Sequence, residues 1–477
     1  MKKAGFILGP ALFCIMLLLP IPAELSAEAW RVLALAAWIL VWWISEAMPI
    51  ALTALLPMVG LPLLGIGDMK ASASHYASPI VYLFMGGFML ALAMEKWALH
   101  KRIALTIVKL TGTNANGIIL GFLLATAFLS MWISNTATTI MMLPIALSVM
   151  DLLGAEGGGQ DPKRLKAFST SLLLCIAYGA SIGGMATIIG TPPNVVFAGF
   201  IRETYGYEIS FVNWMMVGIP FSFLMLAACY ILLVYIILPN KIGTFQGAKD
   251  LIDKQLSLLG PASKAEKITF VIFVLTAMAW IFRSLLNEWL PFRLGDEEIA
   301  ILATIALFAT PVDWRKQVFV LEWKDTDKLP WGILLLFGGG LSLAAALKEV
   351  GIIDLIGAAF TGAELSSFLL ILGVTTVSLF LTEVMSNVAL VTVFLPVVAG
   401  IASALGIHPL MVCLPVTLAA SCAFMLPMGT PPNAIVFAGG HLKMSDMVKS
   451  GFWLNIIAIL LAAGMVKWLV PLIVPAG

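Results

Sequence analysis

The chain has 477 residues, of which 61% are apolar and only 11% charged, and its mean hydropathy is +1.03. Those values exclude an ordinary soluble domain, and apolar runs long enough to span a bilayer recur from end to end, so the chain reads as a polytopic membrane protein. The 27 basic and 26 acidic residues nearly cancel, which implies no nucleic-acid partner.

In chain order, the opening "MKKAGFILGPALFCIMLLLPIPAELSAEAW" has the charge-then-apolar form of a signal peptide. Its apolar run reaches Pro22 without a well-formed small-x-small cleavage site, so a retained first helix is expected. Transmembrane helices are predicted near 5–22, 30–45, 48–66, 79–100, 167–200, 212–239, 266–288, 297–311, 330–350, 408–440 and 450–474. Two further apolar stretches, 117–150 and 366–404, each carry a polar Ser-Asn break near the middle. Each reads either as two spans or as one re-entrant helix–turn–helix hairpin that enters and leaves on the same side.

The basic residues cluster at 2–3, 96–109, 163–166, 241–267, 315–328 and 443–449. With the N-terminus in the cytoplasm, hairpins or paired spans place all of these clusters inside. The acid-rich loops "RETYGYE" and "RLGDEE" then fall outside. That is the positive-inside pattern. Reading either Ser-Asn stretch as a single crossing destroys it.

The chain also repeats itself. "LFMGGFMLALAM" at 83–94 aligns with "LLFGGGLSLAAA" at 335–346, a shift of 252. The same shift lays Ser134-Asn135 on Ser386-Asn387 and Pro144 on Pro396. "GTPPNVVFAG" from 190 and "GTPPNAIVFAG" from 429 match at a shift of 239, the difference fitting an extra polar loop at 154–166. An odd number of crossings separates the spans 79–100 and 330–350, so the two copies are expected to be inverted. Inverted repeats with helices broken at the midplane are the architecture of secondary transporters.

Breaks at 134–136, 190–194, 386–388 and 429–433 can present free N–H groups at helix N-termini, a natural anion site. They also free carbonyl oxygens that suit a small hard cation. The side chains on offer are hydroxyls and amides: Ser134, Asn135, Thr136, Thr191, Asn194, Ser386, Asn387, Thr430 and Asn433. No Lys or Arg lies within these motifs. A bound dianion therefore lacks a basic counter-ion, and a co-bound cation would offset its desolvation.

Other polar residues read more plainly. The five cysteines (Cys14, Cys175, Cys229, Cys413, Cys422) lie in apolar segments without ligand spacing and read as buried small hydrophobes. The four His sit near span ends and read as interface residues. The tryptophans of "WRVLALAAWILVWW" fit an interface belt and packing. Glu46, Glu95 and Glu383 lie in or near apolar runs and are functional candidates by default. Glu46 and Glu95 also fit interface positions, and Glu383 has Met131 as its repeat partner, outside any symmetric site.

The paired motifs "WISNTATTIMMLP" and "VMSNVALVTVFLP", each followed by Gly-Thr-Pro-Pro-Asn, and "SEAMPIALTALLP" at 45–57 resemble the signature of the divalent anion/sodium symporter family, which includes INDY-type and sodium-dicarboxylate transporters. The resemblance covers nearly the whole chain. It implies an all-α fold of about eleven transmembrane helices and two re-entrant hairpins, a homodimer in the lipid bilayer, and a transport domain that moves past a scaffold as an elevator. The implied division is 1–112 scaffold helices with a first horizontal connector, 113–200 the first transport half, 201–365 scaffold with a second connector, and 366–477 the second transport half. By motif position, a first Na+ site would use Ser130, Ser134, Asn135 and Gly190, and a second Thr382, Met385, Asn387 and Gly429. Substrate carboxylates would meet Ser134, Asn135 and Thr136 on one side and Ser386, Asn387 and Val388 on the other, flanked by Thr191, Pro192, Thr430 and Pro431. Val388 departs from the pattern, because Thr136 has no hydroxyl counterpart in the second copy.

The expected function is Na+-driven uptake of C4 dicarboxylates such as succinate, malate and fumarate across a bacterial inner membrane, with an N-terminus inside and a C-terminus outside. A Na+-independent dicarboxylate or citrate exchanger of the same fold is the alternative. A channel would also use half-helix dipoles, but thirteen membrane elements argue against it. No enzyme is expected: Ser134 and Ser386 have no base nearby in sequence, and no two carboxylates are matched by the repeat.

Overall fold

The computed structural model describes residues 2–112, 114–156, 161–243, 246–360 and 366–473, so residues 157–160 of the extra loop at 154–166 lie outside it. These residues are overwhelmingly helical, as a bilayer demands of any lipid-facing backbone. Among them eight helices are long and apolar enough to cross a membrane. A ninth counts if Lys264–Ile281 and Arg283–Trp289, bent by 81°, form one broken span. Fewer than the expected eleven or so transmembrane helices pass by length and composition, and the reasons are local. The stretch 48–66 divides into Ile50–Thr53 and Leu56–Leu63, with Pro57 and Pro62 within the second piece. The stretch 297–311 yields the 14-residue helix Asp296–Ala309. Both Gly-Thr-Pro-Pro-Asn helices are interrupted. One element is not helical: Pro311–Asp313 pairs antiparallel with Val318–Phe319.

The stretches 117–150 and 366–404 each fold as two helices joined by a tight turn. The first hairpin has a leading limb Ala115–Ser130 and a trailing limb Asn135–Glu156. The second has Ser367–Thr382 and Asn387–Ala404. Both leading limbs start from a side-chain cap in repeat register: Asn114 accepts from the Gly117 N–H, and Ser366 Oγ from the Leu369 N–H at 3.2 Å. Each leading limb has 16 residues, about 24 Å of helix, which is short of a hydrocarbon core of about 30 Å. Pro144 and Pro396 sit inside the trailing limbs at matching positions, where each frees a carbonyl one turn earlier.

The matching helices Pro79–Lys96 and Trp331–Glu349 run in opposite directions. Ser78, before the first, donates to Glu203 at 3.0 Å, while Lys348, at the end of the second, donates to the Thr204 carbonyl. At the other end Lys96 pairs with Asp325 at 2.7 Å, just before Trp331. The ion pairs sort into two groups accordingly. Lys2–Glu46, Lys96–Asp325, Arg102–Glu266 and Lys109–Asp253 use residues of the basic clusters, whereas Arg202–Glu297 joins the two acid-rich loops and Arg283 pairs with Glu208 of one and Asp296 of the other.

Helix Lys2–Leu18 leans on Ala27–Ser45 through Phe6, Phe13, Trp38 and Trp42, with Trp43 buried behind them. Of its residues only Gly5 and Gly9 are buried, and Cys14 is exposed, contrary to the expectation for all five cysteines; the other four are buried. His100 also departs from the interface reading. It is buried, with Nδ1 2.9 Å from the Met94 carbonyl, because the chain folds back at Ala98 (φ 56°) and tucks the next helix, Leu99–Leu110, under the span.

Candidate functional site

Each Gly-Thr-Pro-Pro-Asn helix is broken ahead of its prolines. The first has a front half Pro162–Gly184 and a rear half Pro192–Tyr205; the second has Leu410–Ala420 and Pro431–Ala438. The Thr-Pro step starts the rear half in both, since proline fits the first helical turn, where its missing N–H is not needed. The Asn of the motif then holds the break closed. Asn194 Nδ2 donates to the carbonyls of Gly184 (3.2 Å) and Thr187 (2.8 Å), and Asn433 Nδ2 to those of Ala423 and Leu426 (3.0 Å each). The acceptors match at the 239-residue shift. Both asparagines are fully buried, and the Oδ1 of each has no protein partner among the described residues.

The hairpin tips repeat one another as closely. Ser130 Oγ donates to Asn135 Oδ1 at 2.6 Å, and Thr382 Oγ1 to Asn387 Oδ1 at 2.7 Å. In the first copy a Cβ placed on Gly184 would stand 2.6 Å from Asn135 Oδ1 and 3.1 Å from the Gly190 carbonyl. Ser130, Asn135 and Gly190 thus converge around a glycine that has no room for a side chain. Ser134, the fourth residue expected there, uses its Oγ to accept the Ala137 N–H at 3.2 Å and cap the trailing limb. In the second copy Thr382 also donates to the Ala420 carbonyl at 2.8 Å, and Glu383 Oε2 lies 3.0 Å from a Cβ placed on Gly429. Thr382, Asn387 and Gly429 are thereby gathered at one break, and Met385 is half-buried beside them.

The flanking substrate candidates divide unevenly. Thr191 and Thr430 are buried and begin the rear halves, with Pro192 half-buried and Pro431 exposed. Thr430 Oγ1 caps the Asn433 N–H at 3.3 Å, while Thr191 and Ser386 make no side-chain cap. Ser386, Thr136 and Val388 are half-buried, and Val388 packs on the apolar cores.

Packing across the repeat joins the four breaks. The trailing limb of the first hairpin lies on the front half of its own broken helix and on the rear half of the other. The trailing limb of the second hairpin does the same in reverse. The breaks themselves touch at Cys422 Sγ and Met185 Sδ, 3.7 Å apart, and Tyr178 donates to the Phe424 carbonyl at 2.9 Å. No hydrogen bond joins the two Ser-Asn tips directly among the described residues. A cavity of about 830 Å³ runs along the first trailing limb from Ala137, one residue past Thr136, to Ser148. Its far walls carry Glu95, Lys96, His100, Lys101, Asp325 and Lys328.

Sequence reasoning missed four participants. Gly184 had no motif of its own. The carbonyls of Thr187 and Leu426 are invisible to pattern reading, which sees side chains. Asn455 donates to Glu383 at 2.7 Å, and its signal was present as a lone amide in the apolar run "GFWLNIIAI". Glu46 is exposed beside Lys2, in keeping with an interface position.

The model of the sodium:sulfate symporter transmembrane region matches residues 2–474. The chain is 41% identical over 475 residues to the sodium-dependent dicarboxylate transporter SdcS of Staphylococcus saprophyticus, covering 98% of this chain and 92% of that one. It is 41% identical over 474 residues to SdcS of Staphylococcus aureus strain USA300, covering 98% and 91%. Among solved structures it resembles the Alcanivorax borkumensis YdaH transporter, with a TM-score of 0.60, 14% identity and coverage of 91% and 98%. It also resembles Neisseria gonorrhoeae MtrF, with a TM-score of 0.56, 15% identity and coverage of 86% and 85%. At that identity the structural likeness speaks for the fold alone.

Proposed function

We propose, from the premise that the chain belongs to the sodium:sulfate symporter family of membrane transporters, that it couples inward Na+ movement to uptake of C4 dicarboxylates such as succinate, malate and fumarate. One observation carries the reading: each hairpin's trailing limb packs on the rear half of the other copy's broken helix. That arrangement interleaves the two copies and supports a shared site at their helix N-termini. Their N–H groups suit the two carboxylates of a dianion, and the Ser-Asn oxygens beside the breaks suit Na+. The SdcS proteins are named as sodium-dependent dicarboxylate transporters, which supports both halves of the reading.

Na+ is held in this scheme by Ser130, Ser134, Asn135 and Gly190 in the first copy and by Thr382, Met385, Asn387 and Gly429 in the second. The dicarboxylate meets Ser134, Asn135, Thr136, Thr191 and Pro192 on one side and Ser386, Asn387, Val388, Thr430 and Pro431 on the other. Without a basic side chain in the motifs, the cations offset the dianion, so neither crosses efficiently alone. The short leading limbs support re-entrant hairpins with the basic clusters facing the cytoplasm. The cavity from Ala137 to Lys328 is then the cytoplasmic exit. Residues 113–200 and 366–477 move together as the transport domain against 1–112 and 201–365 in a homodimer.

The test is succinate uptake into proteoliposomes with and without an inward Na+ gradient, with sulfate, citrate, malate and fumarate as competitors. Uptake that needs Na+ and is blocked by C4 dicarboxylates supports the reading. Uptake indifferent to Na+ but dependent on internal dicarboxylate makes the protein an exchanger, and preferential competition by sulfate removes the substrate assignment.

A further inference from the structure

The two copies tie hairpin tip to helix break by different chemistry. In the first, the Thr187 hydroxyl donates to the carbonyl of Met131. In the second, the residue in Met131's place is Glu383, only 3% exposed. Its Oε1 accepts from the backbone N–H groups of Phe424 and Met425, each at 2.9 Å, and from Asn455 Nδ2 at 2.7 Å. Its Oε2 accepts from the Leu426 N–H at 3.0 Å. All four partners are donors, which is the complement of a carboxylate carrying its charge, since an ionised carboxylate only accepts. Glu383 takes part in no ion pair among the described residues. Its charge is therefore held by neutral dipoles and is not cancelled locally. The side chain follows Thr382 in the chain and abuts Gly429, two residues of the second cation cluster. Among the described residues no carboxylate pairs or bonds with Ser130, Asn135 or Gly190.

We propose that Glu383 is a positioning residue with an electrostatic role. It fixes the backbone of 424–426 and supplies a buried negative charge that makes the Thr382–Asn387–Gly429 cation position the tighter of the two, filled before the Ser130–Asn135–Gly190 position. The inference rests on the Na+-coupled reading above. A fixed anion a few ångströms from a cation is barely screened by salt when both are buried. The two copies, alike in ligand type, then differ in affinity because one has a charge and the other a carbonyl dipole.

The test uses full-length protein in detergent, titrated with Na+ against choline without substrate, reading the rise in melting temperature. Uptake in proteoliposomes then supplies the Na+ half-saturation and the succinate KM separately. Glu383→Gln keeps the shape and removes the charge; Glu383→Asp keeps the charge and spoils the reach. The expected result is a Na+ half-saturation at least tenfold higher in the Gln variant, succinate KM at saturating Na+ changed less than threefold, and the Asp variant closer to wild type than the Gln variant. A purely structural role gives the opposite order: the Gln variant, which loses only the acceptor for the Leu426 N–H, stays closer to wild type than the Asp variant, whose shorter reach loses the hold on 424–426, and that outcome overturns the proposal. A second pair of variants removes one hydroxyl from each position and does not depend on Glu383 variants folding. Thr382→Ala should abolish the tighter Na+ event and Ser130→Ala the weaker one; the reverse overturns the proposal. Wild-type protein that shows no Na+ response overturns the coupled reading itself, a distinct result.

Discussion

The first Gly-Thr-Pro-Pro-Asn break is walled in, and the second lies partly open. Residues 181–191 are all buried, whereas Met425 to Pro427 are half-buried, Met428 is 70% exposed and Pro431 is exposed. The rear halves account for much of this. Pro192–Tyr205 is long enough to pack on Pro79–Lys96, Trp331–Glu349, Asn387–Ala404 and Leu410–Ala420, while the eight-residue Pro431–Ala438 packs on Pro162–Gly184 and Asn135–Glu156. The first copy is also tighter at its centre, with Gly184 where the second has Ala423. A duplicated motif thus repeats its hydrogen bonds while its surroundings diverge. Equivalent residues should not be expected to have equivalent energies.

That contrast can be broken or sharpened experimentally. The largest effect is expected from Asn135→Ala and Asn387→Ala, each removing the amide on which a tip is built. Both should insert and purify but lose Na+-coupled succinate uptake to background, and wild-type uptake in both would sink the assignment of the tips. Next is Gly184→Ala, whose new Cβ would press on Asn135 Oδ1 at 2.6 Å. Misplacement of a binding group by about 1 Å can cost about a hundredfold, so uptake should fall by about that factor. The reciprocal Ala423→Gly should cost less than threefold. Equal losses in the two variants would show that the copies tolerate volume alike. Val388→Thr should restore the missing hydroxyl and alter the ratio of succinate to citrate uptake by about tenfold, the scale of one gained polar contact. Competition assays that return an unchanged profile would place residue 388 away from the ligand.

The smallest effect concerns the cavity mouth. Partial burial works to raise the Asp325 carboxyl, but the Lys96 hydrogen bond, the Glu322 N–H and nearby Lys328 outweigh it and hold it below its ordinary value. A depressed carboxylate stabilises the fold at neutral pH and loses that contribution as pH falls through its folded value. Lys96→Met should therefore cost about 0.5–1 kcal/mol at pH 7 and nothing once Asp325 is protonated. Melting temperatures of both proteins measured from pH 7 down to pH 3 should converge; a constant gap would assign the loss to packing.

Much of the site was legible in the chain. Proline and glycine punctuate an apolar background, so the four breaks announce themselves, and the duplication told motif from accident. The caps at Asn114 and Ser366 extend the repeat to the start of both hairpins, each side-chain oxygen accepting the backbone N–H three residues on. The span count was less legible, because apolarity measures the tendency to leave water and says little about where a helix stops. Thus 48–66 is apolar enough and falls short by length, and 297–311 yields only a 14-residue helix that opens on three acidic residues. Glu383 was seen as an ionisable residue in an apolar run and set aside for lack of a symmetric partner. Its meaning lay in three backbone N–H groups about forty residues away.

What the sequence determined by itself was the membrane class, the two matched halves and the residue types at each break, because hydrophobicity, helix-breaking and repetition are properties of the chain. What only the tertiary structure decided was which break meets which tip, that each hairpin reaches across to the other copy's rear helix, and that one copy ties tip to break through a buried carboxyl where the other uses a carbonyl. Those are matters of distance between groups far apart in sequence. They follow from how the helices share buried surface, which periodicity along a single chain does not encode.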